Sequence, residues 1–303
     1  MDMDIEETAQ KIELMEVRGA AKIARAAAEA LKNFALGYEG NDIKKFRDEL
    51  KQAGERLLST RPTAVSLRNA VTMILKGENK GDNLEQVKNS IVTEAENFII
   101  RSEKALEVIA EIGSKRIKNK DVLLTHCNSS AAISTIIKAH KDGKKIQVYA
   151  TESRPKRQGY ITVRQLVKEG VPTTLIVDSA VRYVMQRVDL VVVGCDTVAS
   201  NGAIINKIGT SQIALCAHEA RVPVMVCAET YKFSHETLAG ELVEIEERDV
   251  NEVVKQEDFL GVRIFNPVFD ATPPEYIDVI VTEKGVISPH AAYEIIKALD
   301  LKS

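Results

Sequence analysis

A cysteine at position 127 follows the apolar run DVLLTH and opens the small polar stretch NSSAA. A thiol at such a junction can act as a nucleophile or a proton acceptor if its thiolate is stabilised. The N–H groups and dipole of a helix start do that. The alternative reading is a small buried residue packed under the turn, because free cysteine is often simply core. His126 precedes the thiol, but neighbours on an extended strand point to opposite sides. A Cys–His pair from these two is therefore not expected, and His126 reads as structural. The second candidate is Asp196, at the end of another apolar run, DLVVVGCD. In apolar surroundings a carboxyl group keeps its proton towards neutral pH and can serve as an acid. A loop carboxylate that accepts backbone N–H groups would shift the other way.

Other chemically useful groups collect at the ends of apolar runs. Glu152, Ser153 and Arg154 follow KIQVYAT, Asp178 follows TTLIV, and Thr230, Tyr231 and Lys232 follow VPVMVCAE. The segment NGAIINKIGT sets Asn206, Lys207, Gly209 and Thr210 before a helix. Exposed N–H groups with a lysine nearby suit a phosphate or another anion. Arg18-Gly19-Ala20 and Arg61-Pro62-Thr63 stand before two further helices and give weaker signals of the same kind. There is no GxGxxG, GxxxxGK[ST] or HExxH pattern and no closely spaced Cys/His set. That argues against a dinucleotide fingerprint, a P-loop and a zinc site.

The elements that must position these groups differ between the two halves. Before residue 120 the chain is helical in character, with the Ala-rich VRGAAKIARAAAEALKNFAL and a long amphipathic stretch around 83–112. After it, short Val/Ile/Leu runs alternate with helical segments: DVLLTH, KIQVYAT, TTLIVDS, DLVVVGCD, VPVMVCAE and IDVIVTE. Near-continuous apolar strands alternating with helices predict a parallel sheet covered on both faces. The expected fold is therefore α/β: an N-terminal helical domain, 1–118, and a C-terminal Rossmann-like doubly wound domain, 119–303. The basic stretch GSKRIKNKD, 113–121, marks the boundary. In an open parallel sheet ligands bind beyond the carboxyl ends of the strands, where the candidate residues lie.

With 45% hydrophobic and 28% charged residues and a net charge of −3, the composition is that of a soluble globular chain. Nothing global points to nucleic acid or membrane as a partner: the basic residues are dispersed, there is no tryptophan, and no apolar run is long enough to span a bilayer. The acidic MDMDIEETAQ is neither a secretory signal nor a transit peptide. The four cysteines form no CxxC, so free thiols in the cytoplasm are the expectation, with Cys195, Cys216 and Cys227 as packing residues.

The stretches THCNSSAAI, ESRPKRQG, DSAVRYVM, VCAETYKF and above all GCDTVASNGAIINKIGTSQIAL resemble one superfamily. It comprises the regulatory α/β/δ subunits of translation initiation factor 2B and two kinds of sugar-phosphate isomerase, acting on methylthioribose 1-phosphate or, in archaea, on ribose 1,5-bisphosphate. The resemblance implies that Cys127 and Asp196 are the proton-transfer pair of the isomerases, which the regulatory subunits usually lack. It implies substrate contacts for Arg18, Gly19, Ala20, Ala21, Arg61, Ser129, Ser130, Ala131, Asn206, Lys207 and Lys232. The wording of ESRPKRQG and GTSQIAL is more similar to the bisphosphate enzymes, so a sugar bisphosphate is the implied small-molecule partner, with no metal or redox cofactor. A dimer-based homo-oligomer, up to a hexamer, is also implied. The other readings are a non-catalytic regulatory subunit and the methylthioribose enzyme.

Overall fold

Alanine-rich sequence builds the first part of the chain as helices: α1 (Met3–Glu13), α2 (Ala20–Gly37), α3 (Ile43–Ser59), α4 (Val65–Leu75) and α5 (Leu84–Ser114). The computed structural model describes residues 3–239, 243 and 245–300, in one unit running to Ala105 and a second starting at Leu106. The units divide inside α5, whereas the basic stretch 113–121 overlaps its end. In the first unit α2 buries Ala21, Ala24, Ala27, Ala28 and Ala35 beside Ile23, Leu31 and Phe34. Such small side chains let α4 lie close and bury Leu67, Ala70, Val71 and Ile74. The Asp42 carboxylate caps α3 by accepting the N–H groups of Lys44 at 2.8 Å and Lys45 at 3.2 Å, a cap worth about 1 kcal/mol. Arg56 of α3 reaches Glu6 and Glu13 of α1 at 2.8 and 2.7 Å.

The second unit alternates strand and helix: β1 (Val122–Thr125), α6 (Ser130–Lys141), β2 (Gln147–Thr151), α7 (Gly159–Lys168), β3 (Thr173–Ile176), α8 (Val181–Val184) and β4 (Leu190–Gly194). It continues with β5 (Thr197–Val198), β6 (Ile204–Lys207), α9 (Thr210–Ala220), β7 (Val224–Cys227), β8 (Phe269–Thr272), β9 (Val279–Thr282), β10 (Gly285–Ile287) and α10 (Ala292–Asp300). The main sheet has seven strands in the order β10-β9-β7-β4-β1-β2-β3, parallel except for β10. Alternate residues of each strand feed different cores. Leu123, Val192 and Met225 pack with Ile133, Ile136 and Leu166 of α6 and α7. Leu124, Val191, Val193 and Val226 pack with Val181 of α8, Ile213 of α9 and Ile296 of α10. Burial on both faces explains the unbroken apolar runs of the central strands such as β4 and β7, whereas β3 at the edge is largely uncovered. The six apolar runs of the sequence are β1, β2, β3, β4, β7 and β9.

The small antiparallel sheet β5-β6-β8 departs from the expected architecture. Its strands are short, and the INK of β6 belongs to a segment that reads as a turn before a helix. It folds against the carboxyl end of β4, because the chain runs from β4 straight into β5. Among the described residues no helix is long and apolar enough to cross a membrane.

Candidate active site

The strand order reverses between β1 and β4. From β1 the chain builds β2 and β3 on one side; β4 then pairs with the other edge of β1, in the register Leu123↔Leu190 and Leu124↔Val191. At such a switch point the connections leave in opposite directions and open a crevice beyond the strand ends. Cys127 lies two residues past β1, and Asp196 two residues past β4, both half-buried. A Cβ at Gly194 would fall 2.1 Å from Ser129 Oγ, so only glycine lets β4 end against the start of α6.

The Cys127 backbone is left-handed, with φ +64°, a conformation uncommon for a residue with a side chain. Hydrogen bonds on both sides hold it. Its N–H donates to Ser153 Oγ at 2.8 Å, and its carbonyl accepts from Thr162 Oγ1 at 2.6 Å. Ser153 is itself left-handed, at φ +60°, and its N–H donates to Asp178 Oδ1 at 2.8 Å. The helix begins beyond the thiol: Ser129 caps α6, its Oγ accepting from Ala132 N–H at 3.3 Å. The first N–H groups of α6, those of Ser130 and Ala131, have no carbonyl partner within the helix by construction.

A thiolate stabilised at rest is not what this environment favours. Burial pushes the Cys127 thiol up to about 11; Lys207 and the Asn128 N–H pull it down, and Asp196 and Asp178 add to the rise. The expectation neglected desolvation, which here outweighs the helix start two residues away. These interactions also show which charges surround the sulfur: Lys207, Asp196 and Asp178.

Asp196 is tied to the small sheet, its N–H donating to the Ile205 carbonyl at 2.9 Å. Its neighbour Cys195 is buried core, and the Cys195 carbonyl accepts from Lys232 Nζ at 2.9 Å. Lys232 is only 5% exposed and also meets Glu229 at 2.7 Å. Burial works against its ammonium, yet its pKa is raised in balance, the Glu229 carboxylate being the largest of the influences that favour the charged form. Of the ammonium's three N–H donors one goes to the Cys195 carbonyl, and the contact with Glu229 is a pairing of charges. Asn206 is buried and donates to Thr210 Oγ1 at 3.0 Å, while Thr210 donates to the Lys207 carbonyl at 2.7 Å.

The start of α9 departs from the expected anion site. The Asp270 carboxylate fills it, accepting Gly209 N–H at 2.7 Å and Ser211 N–H at 3.2 Å. The N–H groups of Gly209 and Ser211 are therefore not open to a phosphate. Burial pushes Asp270 up to about 6 despite those N–H groups and Lys207.

A model of the initiation factor 2 subunit family matches residues 16–289. The chain belongs to that family. The ribose 1,5-bisphosphate isomerase of Archaeoglobus fulgidus is 56% identical over 294 residues, 97% of this chain and 92% of that protein. The enzyme of the same name from Methanocaldococcus jannaschii is 51% identical, over 98% and 96% of the two chains. Among solved structures, the translation initiation factor eIF-2B of Pyrococcus horikoshii OT3 superposes with a TM-score of 0.84 at 29% identity, covering 95% of this chain and 98% of that one. Identity of this order to named isomerases sets this initiation factor 2 family member on the enzymatic side, as an isomerase.

In the first unit of this family member, two predicted segments converge by themselves. Arg18 Nε donates to the Met15 carbonyl, Arg61 Nη1 lies 3.9 Å from Met15 Sδ, and Ser66 Oγ donates to the Ala20 carbonyl at 3.2 Å. Gly19 takes φ +88° at the start of α2, followed by Ala20 and Ala21. Sequence reasoning missed Thr151, Thr162, Glu229 and Asp270. Asp270 was the readable one, a carboxylate in the apolar stretch VFDAT.

Proposed function

We propose that this isomerase converts ribose 1,5-bisphosphate to ribulose 1,5-bisphosphate, with Cys127 and Asp196 moving the protons. The observation that carries the reading is the placement of a thiol and a carboxyl group at the ends of the two strands that flank the switch point. The names of relatives 56% and 51% identical support the substrate.

The chemistry follows from the substrate. The furanose opens by breaking C1–O4, and O4 takes up a proton. The proton on C2 leaves to a base, giving an enolate-type intermediate that keeps the phosphate on C1. A proton then enters C1, and the 2-hydroxyl gives up its own as C2 becomes the ketone. Nothing is oxidised or reduced overall. Cys127 takes the C2 proton and Asp196 supplies the other. Because the resting sulfur is a thiol, the cycle begins by moving its proton away, which the charge of Lys207 favours.

Two phosphates call for several donors. Ser129, Ser130 and Ala131 offer the first turn of α6, Asn206 and Lys207 offer β6, and Lys232 offers its ammonium. The resemblance adds Arg18, Gly19, Ala20, Ala21 and Arg61. A methylthio group would instead want an apolar pocket. The protein is proposed to act as a cytoplasmic homo-oligomer.

The test is turnover of the purified protein on ribose 1,5-bisphosphate and, in parallel, methylthioribose 1-phosphate. Product from the bisphosphate alone is expected. A proton-transfer group contributes about 10²–10⁴-fold, so Cys127→Ser and Asp196→Asn should each lower kcat by that factor with binding retained. Wild-type turnover in either variant would overturn its role; product from neither substrate would return weight to a regulatory subunit.

A further inference from the structure

His126 ends β1 with 1% of its surface exposed, and the proposed proton transfers do not use it. Its hydrogen bonds have a fixed direction. Nε2 lies 2.9 Å from the Ile208 carbonyl, which can only accept, so the ring proton is on Nε2. Nδ1 is then bare and accepts from Thr151 Oγ1 at 2.6 Å. With the Thr151 proton given to the ring, Ser153 Oγ completes the cluster, 3.2 Å from Thr151 Oγ1 and 3.3 Å from His126 Nδ1, and its proton serves one of these two acceptors. Ser153 in turn accepts the Cys127 N–H at 2.8 Å. One series of donors thus runs from the Cys127 amide through the hydroxyl cluster to the imidazole, and on to the turn between β6 and α9. Burial keeps the ring neutral, with Lys207 adding to that effect, so both ends of the series keep their polarity.

The turn it reaches is shaped to receive it. Ile208 lies between Lys207 and Gly209, and a Cβ at Gly209 would stand 3.3 Å from the ring atoms Cε1 and Nε2. Gly209 also has φ +101°, where a side chain is strained. The ring therefore joins two segments that are 82 positions apart, one carrying the thiol and the other the cation that acts on it.

We propose that His126, as the neutral imidazole protonated on Nε2, is a positioning residue that fixes the left-handed backbone of Cys127 against the Lys207–Gly209 turn. Thr151 and Ser153 are its intermediaries. The proposal rests on the reading of Cys127 as the proton acceptor, but it makes a claim about the thiol that can be measured without substrate. The sulfur emerges from a backbone that these side chains hold, so loosening any of them moves it away from Lys207 and makes it less acidic.

The experiment compares wild type with Thr151→Val, Ser153→Ala and His126→Gln. The first two remove one hydroxyl each with little change of volume. Gln retains a donor near the position of Nε2 and should partly rescue relative to His126→Ala. Two readouts are taken: kcat and KM on ribose 1,5-bisphosphate, and the pH dependence of alkylation of Cys127 by iodoacetamide, resolved from Cys216 by peptide mass spectrometry. Thr151→Val and Ser153→Ala should lower kcat by about tenfold to a hundredfold, as a misplacement of order 1 Å does, with KM within about threefold. Their alkylation profiles should move to higher pH. Folded variants whose kcat and alkylation profile match wild type would overturn the proposal. If the alkylation profile moves but Cys127→Ser still turns over, positioning stands and the role of the sulfur fails; if Cys127→Ser is dead and the profiles do not move, the reverse holds.

Discussion

Lys207 is the residue on which the acidity of the sulfur turns. It is the largest influence lowering the Cys127 thiol, against burial, Asp196 and Asp178. The form that can accept the C2 proton is the deprotonated one, and its pKa lies above the ordinary thiol value. The active fraction therefore grows with pH and levels off only towards about 11. kcat/KM should climb through the neutral and mildly alkaline range. Replacing Lys207 by Met should displace that climb to higher pH and slow Cys127 alkylation at pH 8. A flat or falling profile above pH 7 would mean the sulfur is not the base. The two candidates Cys127 and Asp196 were legible because each closes an apolar run. The pairings that hold Cys127 were not: Ser153 and Thr162 lie 26 and 35 positions from it, and no local spacing encodes such pairs.

At the scale of elements, two close approaches decide where the site residues stand. The first is the end of β4 against the start of α6. Gly194→Ala would drive a methyl group into Ser129 Oγ and Cβ, at 2.1 and 2.4 Å, so the cap or the strand end must shift. Such overpacking costs about 1–3 kcal/mol, and denaturant titration should show it together with a raised KM. The second is Asp270 beneath α9. Its pKa is raised in the folded state, so the stability it contributes is full below pH 4 and is lost as pH rises through about 6. Asp270→Asn should therefore be more stable than wild type at pH 7.5, with the difference shrinking at pH 4.5. The central strands β4 and β7 could be read from the sequence because burial on both faces makes them continuously apolar. The small sheet could not, since two to four residues per strand leave no period to detect.

Among the described residues β3 is an edge strand of the main sheet, with Leu175 and the following Val177 about half exposed. An apolar open edge invites pairing with another chain. If the proposed homo-oligomer forms through this edge, Leu175→Lys should lower the mass measured by sedimentation equilibrium. The order of the sheet has a further consequence, for how the protein comes to be active. β1, β2 and β3 are neighbours in both sequence and space, so they can assemble from nearby contacts. β4 must travel past all of them to reach the far edge of β1, and β7 and β9 can be added only after it. Bringing distant segments together costs loop-closure entropy before any contact is formed. The seam between β1 and β4 is also the seam between thiol and carboxyl group. Recovery of turnover during refolding should therefore lag the return of helical circular dichroism, with the proposed pair reporting the completion of the sheet.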